Sequence, residues 1–160
     1  MALNQHHFEI NVVWTGNKGS GTSTYRAYGR DHTVAAVGLP VLLGSADRTF
    51  HGDRDRWNPE QLLITALTQC HMLSYLHVAV MHGVVITRYE DTATGTLVVN
   101  PDGSGQFSEV TLHPKIQVAD PATEKLALSL HAEAATKCFI ARSVNFPVHH
   151  EPGLLAVTED

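Results

Sequence analysis

Residues 58–84, NPEQLLITALTQCHMLSYLHVAVMHGV, decide how the rest of the chain is arranged. Asn58 is a good helix cap, Pro59 fits a first helical turn, and Glu60 suits the positive end of a helix dipole. Leu62, Leu63, Ala66, Leu67, Cys70, Leu73, Tyr75, Leu76, Val80 and Met81 then recur three and four residues apart, as on a helix face. Gly83 is a natural stop. The predicted helix runs about 24 residues, roughly 36 Å at 1.5 Å per residue. Apolar side chains cover more than one of its faces, which predicts burial in a core or an interface. Gln69, His71, His77 and His82 interrupt the apolar run, so no membrane span is expected. Cys70, one of only two cysteines, sits in its middle.

Ahead of this helix, FEINVVW (Phe8–Trp14) alternates as a strand does, and the Gly-rich turn Gly16–Gly21 predicts a hairpin. Thr22–Val37 carries Tyr25, Tyr28 and Val34 among polar residues and reads as one or two strands. Gly38–Arg56 reads as a charged loop that delivers Arg48, Arg54 and Arg56 to the helix start. Beyond the helix, Val84–Tyr89, Thr96–Asn100 and Gly105–Leu112 are β-rich, with a turn at Pro101-Asp102-Gly103-Ser104. Alternation through Val110, Leu112, Ile116 and Val118 predicts a meander. Asp120-Pro121 caps a second helix, Ala122–Lys137, with Leu126, Leu130 and Ala134 on one face. Phe146–His150 and Leu154–Val157 are candidates for a last strand. This order is α+β, not an alternating parallel-sheet pattern, and residues 1–160 read as a single domain.

The net charge of −5, with no run of Lys or Arg, lacks the basic patch of a nucleic-acid binder. MALNQHHFEI has no basic region followed by an apolar block, so a cytoplasmic location is expected. In that compartment a structural disulfide is not expected, and the cysteines read as buried, metal-binding or redox-active. No CxxC motif is present. The chain has eleven histidines, but His71, His77 and His82 miss the i, i+4 spacing of a helical zinc site. Neither a metal nor a cofactor is expected. NKGSGTS lacks the Lys-Ser/Thr ending of a P-loop and reads as a hairpin turn.

Two motifs carry a resemblance. NPEQLLITALTQC is similar to the NPEELL…AC motif of the OsmC/Ohr family, the osmotically inducible and organic hydroperoxide resistance proteins. CFIARSV (Cys138–Val144) resembles the family's second cysteine segment. CHML…LH and GSADRTFHGD look closer to an OsmC-like branch. The resemblance implies an OsmC-like fold, with antiparallel sheets around long central helices in an intertwined homodimer. It also implies a thiol peroxidase that acts on organic hydroperoxides and is recycled by an external dithiol reductant. By position Cys70 matches the peroxide-attacking cysteine, Cys138 the resolving one and Glu60 the family's glutamate. Arg48 is the first choice for the family's arginine, with Arg56 and Arg30 as alternatives. One departure is Ala135, where a histidine is common; His131 lies farther upstream.

The chemistry asks for these residue types. A thiolate, not a thiol, splits a peroxide O–O bond. A cysteine in an apolar helix needs a nearby cation to ionise, and an arginine can supply it and steady the departing alkoxide. A glutamate can hold that arginine by a two-pronged contact. The resulting sulfenic acid condenses with a second thiol. CFIARSV either continues the second helix or starts a short new one, and at a helix start Cys138 would have a lowered pKa. Leu67, Met72 and Leu73 around Cys70 favour an organic peroxide. On one straight helix Glu60 and Cys70 lie about 15 Å apart along the axis and point about 80° apart, so the two are expected to meet only across a dimer. Two rival readings stand beside the peroxidase. One is a non-enzymatic domain holding a small apolar ligand or a partner in the dimer cleft; the other is a cysteine–histidine hydrolase.

Overall fold

The computed structural model describes residues 4–156, which fall into two compact units that divide between Leu62 and Leu63. The first unit holds a three-stranded antiparallel sheet of β1 (Asn11–Trp14), β2 (His32–Ala35) and β3 (Leu42–Gly44), in that order. β1 starts later than the alternation predicts, and Phe8 is exposed. The expected strand through Tyr25 and Tyr28 is instead a folded loop. Asn17 Oδ1 accepts the N–H groups of Gly19 and Gly21, and both glycines take positive φ. Arg30 then pins the loop by donating to the carbonyls of Tyr28 and Tyr25. Satisfied internally, this backbone has no need of a sheet partner. The charged loop does contain one strand, β3, and a short 3-10 helix, Arg48–Phe50.

The predicted central helix is α1 (Pro59–Met81). Its start is a reciprocal cap. Asn58 Oδ1 accepts the Gln61 N–H at 2.8 Å, and Gln61 Oε1 accepts the Asn58 N–H at 3.3 Å. It ends at Gly83, φ 69°, where Gly83 N–H bonds to Val80 O and Val84 N–H to Ala79 O. That pairing needs a left-handed residue, which glycine supplies without a Cβ clash. Leu67, His71, Tyr75, Val78 and Ala79 are buried. Leu73, Val80 and Met81 on the remaining surface are exposed. By length and composition α1 could cross a membrane, yet its buried stripe packs into two protein cores.

Those cores lie in the second unit. β4 (Ile86–Asp91), β7 (Pro114–Val118) and β9 (Gly153–Leu154) form one sheet; β5 (Thr94–Val99), β6 (Gly105–Leu112) and β8 (Val148–His150) form another. The expected meander is therefore corrected, because β6 pairs with β5 and β7 pairs with β4. The chain changes sheets at His113, whose N–H goes to Asp91 Oδ1, and Pro114 has no N–H to extend the first ladder. β8 and β9 add to β6 and β7 in parallel. The first core joins Tyr75, Val78 and Ala79 of α1 to Ile116 and to Ala127, Leu130 and Ala134 of α2 (Glu124–Lys137). The second joins Leu67 to Phe107, Val110 and Leu112. Ala127, not Leu126, completes the buried face of α2.

Candidate functional site

The two cysteines converge on one turn. Cys70 is on the part of α1 that packs in the second unit, and Cys138 is the C-terminal cap of α2. The turn that follows, residues 138–141, aims two successive N–H groups at the two sulfurs. Ile140 donates to Cys70 Sγ at 3.5 Å and Ala141 to Cys138 Sγ at 3.4 Å. Both thiols are free. Cys138 is 1% exposed, while Cys70 is only half-buried.

Cys138 is not at a helix start, and its pKa is not lowered. Burial, followed by the neighbouring Cys70 thiol, pushes the Cys138 thiol up to about 11. The negative end of α2 is at this residue, so the helix dipole cannot favour a thiolate. Of the two readings of CFIARSV, a short 3-10 helix does follow at Ala141–Ser143, but Cys138 lies ahead of it, as the cap that ends α2. Cys138 is thus a protonated thiol in neutral solution, beside the more accessible sulfur of Cys70.

Glu60 and the three candidate arginines belong to the first unit. Glu60 lies in the first turn of α1, with Oε2 buried and without a partner among the described residues. Arg30 is committed elsewhere. Its guanidinium donates to two carbonyls and stacks on the rings of Tyr25 and Tyr28, with centroids 4.5 and 4.2 Å away. Arg56 pairs with Asp31 at 3.7 Å and keeps a buried, unpaired Nη1. Arg48 opens the 3-10 helix and is exposed; among the described residues its guanidinium has no ion-pair or hydrogen-bond partner.

Sequence spacing missed a second convergence. His71 on α1 and His131 on α2, 0% and 2% exposed, share a hydrogen bond of 3.0 Å between Nε2 and Nδ1. His150 of β8 packs on His71, ring centroids 4.2 Å apart, and Tyr75 stacks on His131 at 3.8 Å and 7°. Burial first, then the neighbouring histidines, lowers His71 to about 3 and His131 to about 4. Both rings are neutral, and one proton serves the bond between them. The signals in the chain are His71, His77 and His82 on the central helix, His131 on the second and the HH pair at 149–150; the meeting of His71, His131 and His150 comes from three separate elements. Among the described residues, no group of three or more His, Cys, Asp or Glu side chains is arranged to hold a metal.

The family model described as OsmC-like protein matches residues 51–152. No curated protein matches this sequence. Among solved structures, the chain is similar to an OsmC-like protein of unknown function from Vibrio cholerae, at 29% identity and TM-score 0.80, covering 92% of this chain and 99% of that one. It is also similar in fold to an organic hydroperoxide resistance protein OsmC from Legionella pneumophila, at 20% identity and TM-score 0.69, covering 98% and 100%. A third, an organic hydroperoxide resistance protein from Elizabethkingia anophelis, is 14% identical with TM-score 0.68, covering 96% and 98%.

Proposed function

This chain belongs to the OsmC-like protein family, and on that footing we propose that it is a thiol peroxidase that reduces organic hydroperoxides. The observation that carries this reading is the shared turn, which aims Ile140 N–H at Cys70 Sγ and Ala141 N–H at Cys138 Sγ. Names of structural neighbours that mention organic hydroperoxide resistance support it.

Cys70 is the attacking residue because it is the more accessible sulfur. Its thiolate takes the distal peroxide oxygen. An S–O bond forms, the O–O bond breaks, and the alkoxide leaves and takes a proton to become an alcohol. Cys70 is now a sulfenic acid. The Cys138 sulfur attacks it, hydroxide leaves with the Cys138 proton as water, and a Cys70–Cys138 disulfide forms. An external dithiol returns two electrons by exchange and restores both thiols. Glu60 and an arginine, Arg48 first and Arg56 second, are the residues that the family resemblance assigns to activating the thiol and the peroxide. Arg30 is the weakest choice, since its N–H groups already have carbonyl partners.

The working form is a homodimer in the cytoplasm. Leu73, Val80 and Met81, each more than 60% exposed on α1, support the dimer because water-facing apolar side chains of this size mark a contact surface.

The test is hydroperoxide consumption by wild type, Cys70→Ser and Cys138→Ser with a dithiol reductant, and mass spectrometry of the thiols. Loss of turnover in Cys70→Ser together with a wild-type Cys70–Cys138 disulfide supports the peroxidase. Free thiols and no peroxide loss in wild type sink it and favour a ligand-binding role.

A further inference from the structure

The site accounts for the two cysteines but leaves the buried histidines without a task. Cys70 is on α1 and Cys138 ends α2, so the meeting of the sulfurs depends on how the two helices are set against each other. Among the described residues, two side-chain hydrogen bonds join these helices. One is His71 Nε2 to His131 Nδ1 at 3.0 Å; the other runs from Tyr75 Oη to Ala127 O at 3.1 Å. His71 is the residue after Cys70. His131 is on the helix whose last residue leads directly into Cys138. Just past the last residue of α1, exposed His82 also pairs with Glu133 of α2 at 2.9 Å; the rest of the buried contact is aliphatic packing of Val78 and Ala79 with Ala127, Leu130 and Ala134. Small smooth side chains tolerate sliding, whereas a directional bond between two rings does not.

The ring cluster fixes the rings as well as the helices. His131 lies against both Tyr75 and His71, at 3.8 Å and 5.3 Å between centroids, and His150 packs on His71 at 4.2 Å. Among the described residues, His71 Nδ1, His131 Nε2 and His150 Nε2 are all buried without partners. An arrangement that leaves three buried nitrogens unsatisfied carries a cost of desolvation, and three leucines of similar volume would avoid it.

We propose that the His71–His131 bond is a positioning device that registers α1 against α2 and so holds Cys138 in place to close on Cys70. It rests on the reading that these two thiols form a disulfide. It adds that closure depends on a pair of imidazoles that, among the described residues, make no hydrogen bond to either sulfur.

The test uses oxidised dithiothreitol as the oxidant, so no peroxide chemistry is involved. Two protein thiols give two electrons and two protons to the reagent disulfide; one S–S bond forms and one breaks. The closure equilibrium is measured for wild type and four amide variants of the whole chain. His71→Gln keeps a nitrogen at the Nε2 position, and His131→Asn keeps one at Nδ1. His71→Asn and His131→Gln carry the same amide displaced by one methylene. The expected result is closure within about twofold of wild type for the first two and weaker by about tenfold or more for the second two. The reduced forms should melt at similar temperatures within each pair. Equal closure in all four variants overturns the proposal. So does failure of all four to fold, because the pair would then be a general core element. If wild type itself never closes with this reagent, the disulfide reading fails instead.

Discussion

Cys70 and Cys138 are addressed by adjacent backbone amides of one turn, Ile140 N–H on the first sulfur and Ala141 N–H on the second. The two thiols are chemically unequal at that shared turn. Cys70 is half-buried, while Cys138 is 1% exposed and held up at about 11. A pair used for one chemical event after another gains from such asymmetry, since only one member meets an oxidant from outside.

Alkylation should follow that difference. With iodoacetamide near neutral pH, Cys70 is expected to be labelled before Cys138. Labelling of Cys138 should rise about tenfold per pH unit toward its pKa of about 11. Peptide mapping by mass spectrometry after timed quenches checks the order. Equal labelling of both cysteines at pH 7 would contradict the asymmetry.

Acid should destabilise the fold at an early point. His71 and His131 are lowered to about 3 and about 4, whereas unfolded histidines titrate near 6.5. Below 6.5 the unfolded chain therefore binds protons that the folded chain refuses. The stability held by these neutral rings is complete above about pH 6.5 and is lost as pH falls toward 4. Each histidine adds a slope of up to about 1.4 kcal/mol per pH unit. Urea melts at pH 7, 6, 5 and 4.5 should show this slope, and it should shrink in His131→Asn.

Replacing Arg30 should loosen the loop between β1 and β2. Arg30→Lys cannot donate to two carbonyls while lying flat on two tyrosine rings. A loss of about 1–3 kcal/mol is expected, from two charge-assisted hydrogen bonds and a stacked cation. Hydrogen exchange should localise it to residues 15–31. Protection unchanged there would show that the guanidinium contacts carry no weight.

The reciprocal cap at the start of α1 offers a milder test. Asn58→Ala removes the acceptor for Gln61 N–H, and about 1 kcal/mol should be lost. Asn58→Asp keeps an acceptor and should hold stability near wild type. The midpoint of denaturant unfolding reads both.

Elements whose signals are local were legible in the chain itself. α1 was readable because Asn58, Pro59, Gly83 and the three-and-four spacing of its apolar residues act within one helix, whatever surrounds it. The two cysteine motifs, the α+β order and most strand positions were legible for the same reason. Tertiary structure alone decided what depends on which segments meet. β6 left the meander because its partners, β5 and β8, come from both sides of it in the chain. Cys138 ends α2, and burial there raises the pKa that a place at a helix start would have lowered. His71, His131 and His150 lie on α1, α2 and β8, and no spacing rule links them. Their neutrality comes from lost water, and the loss of water is a property of the packed interior that no single stretch of chain contains.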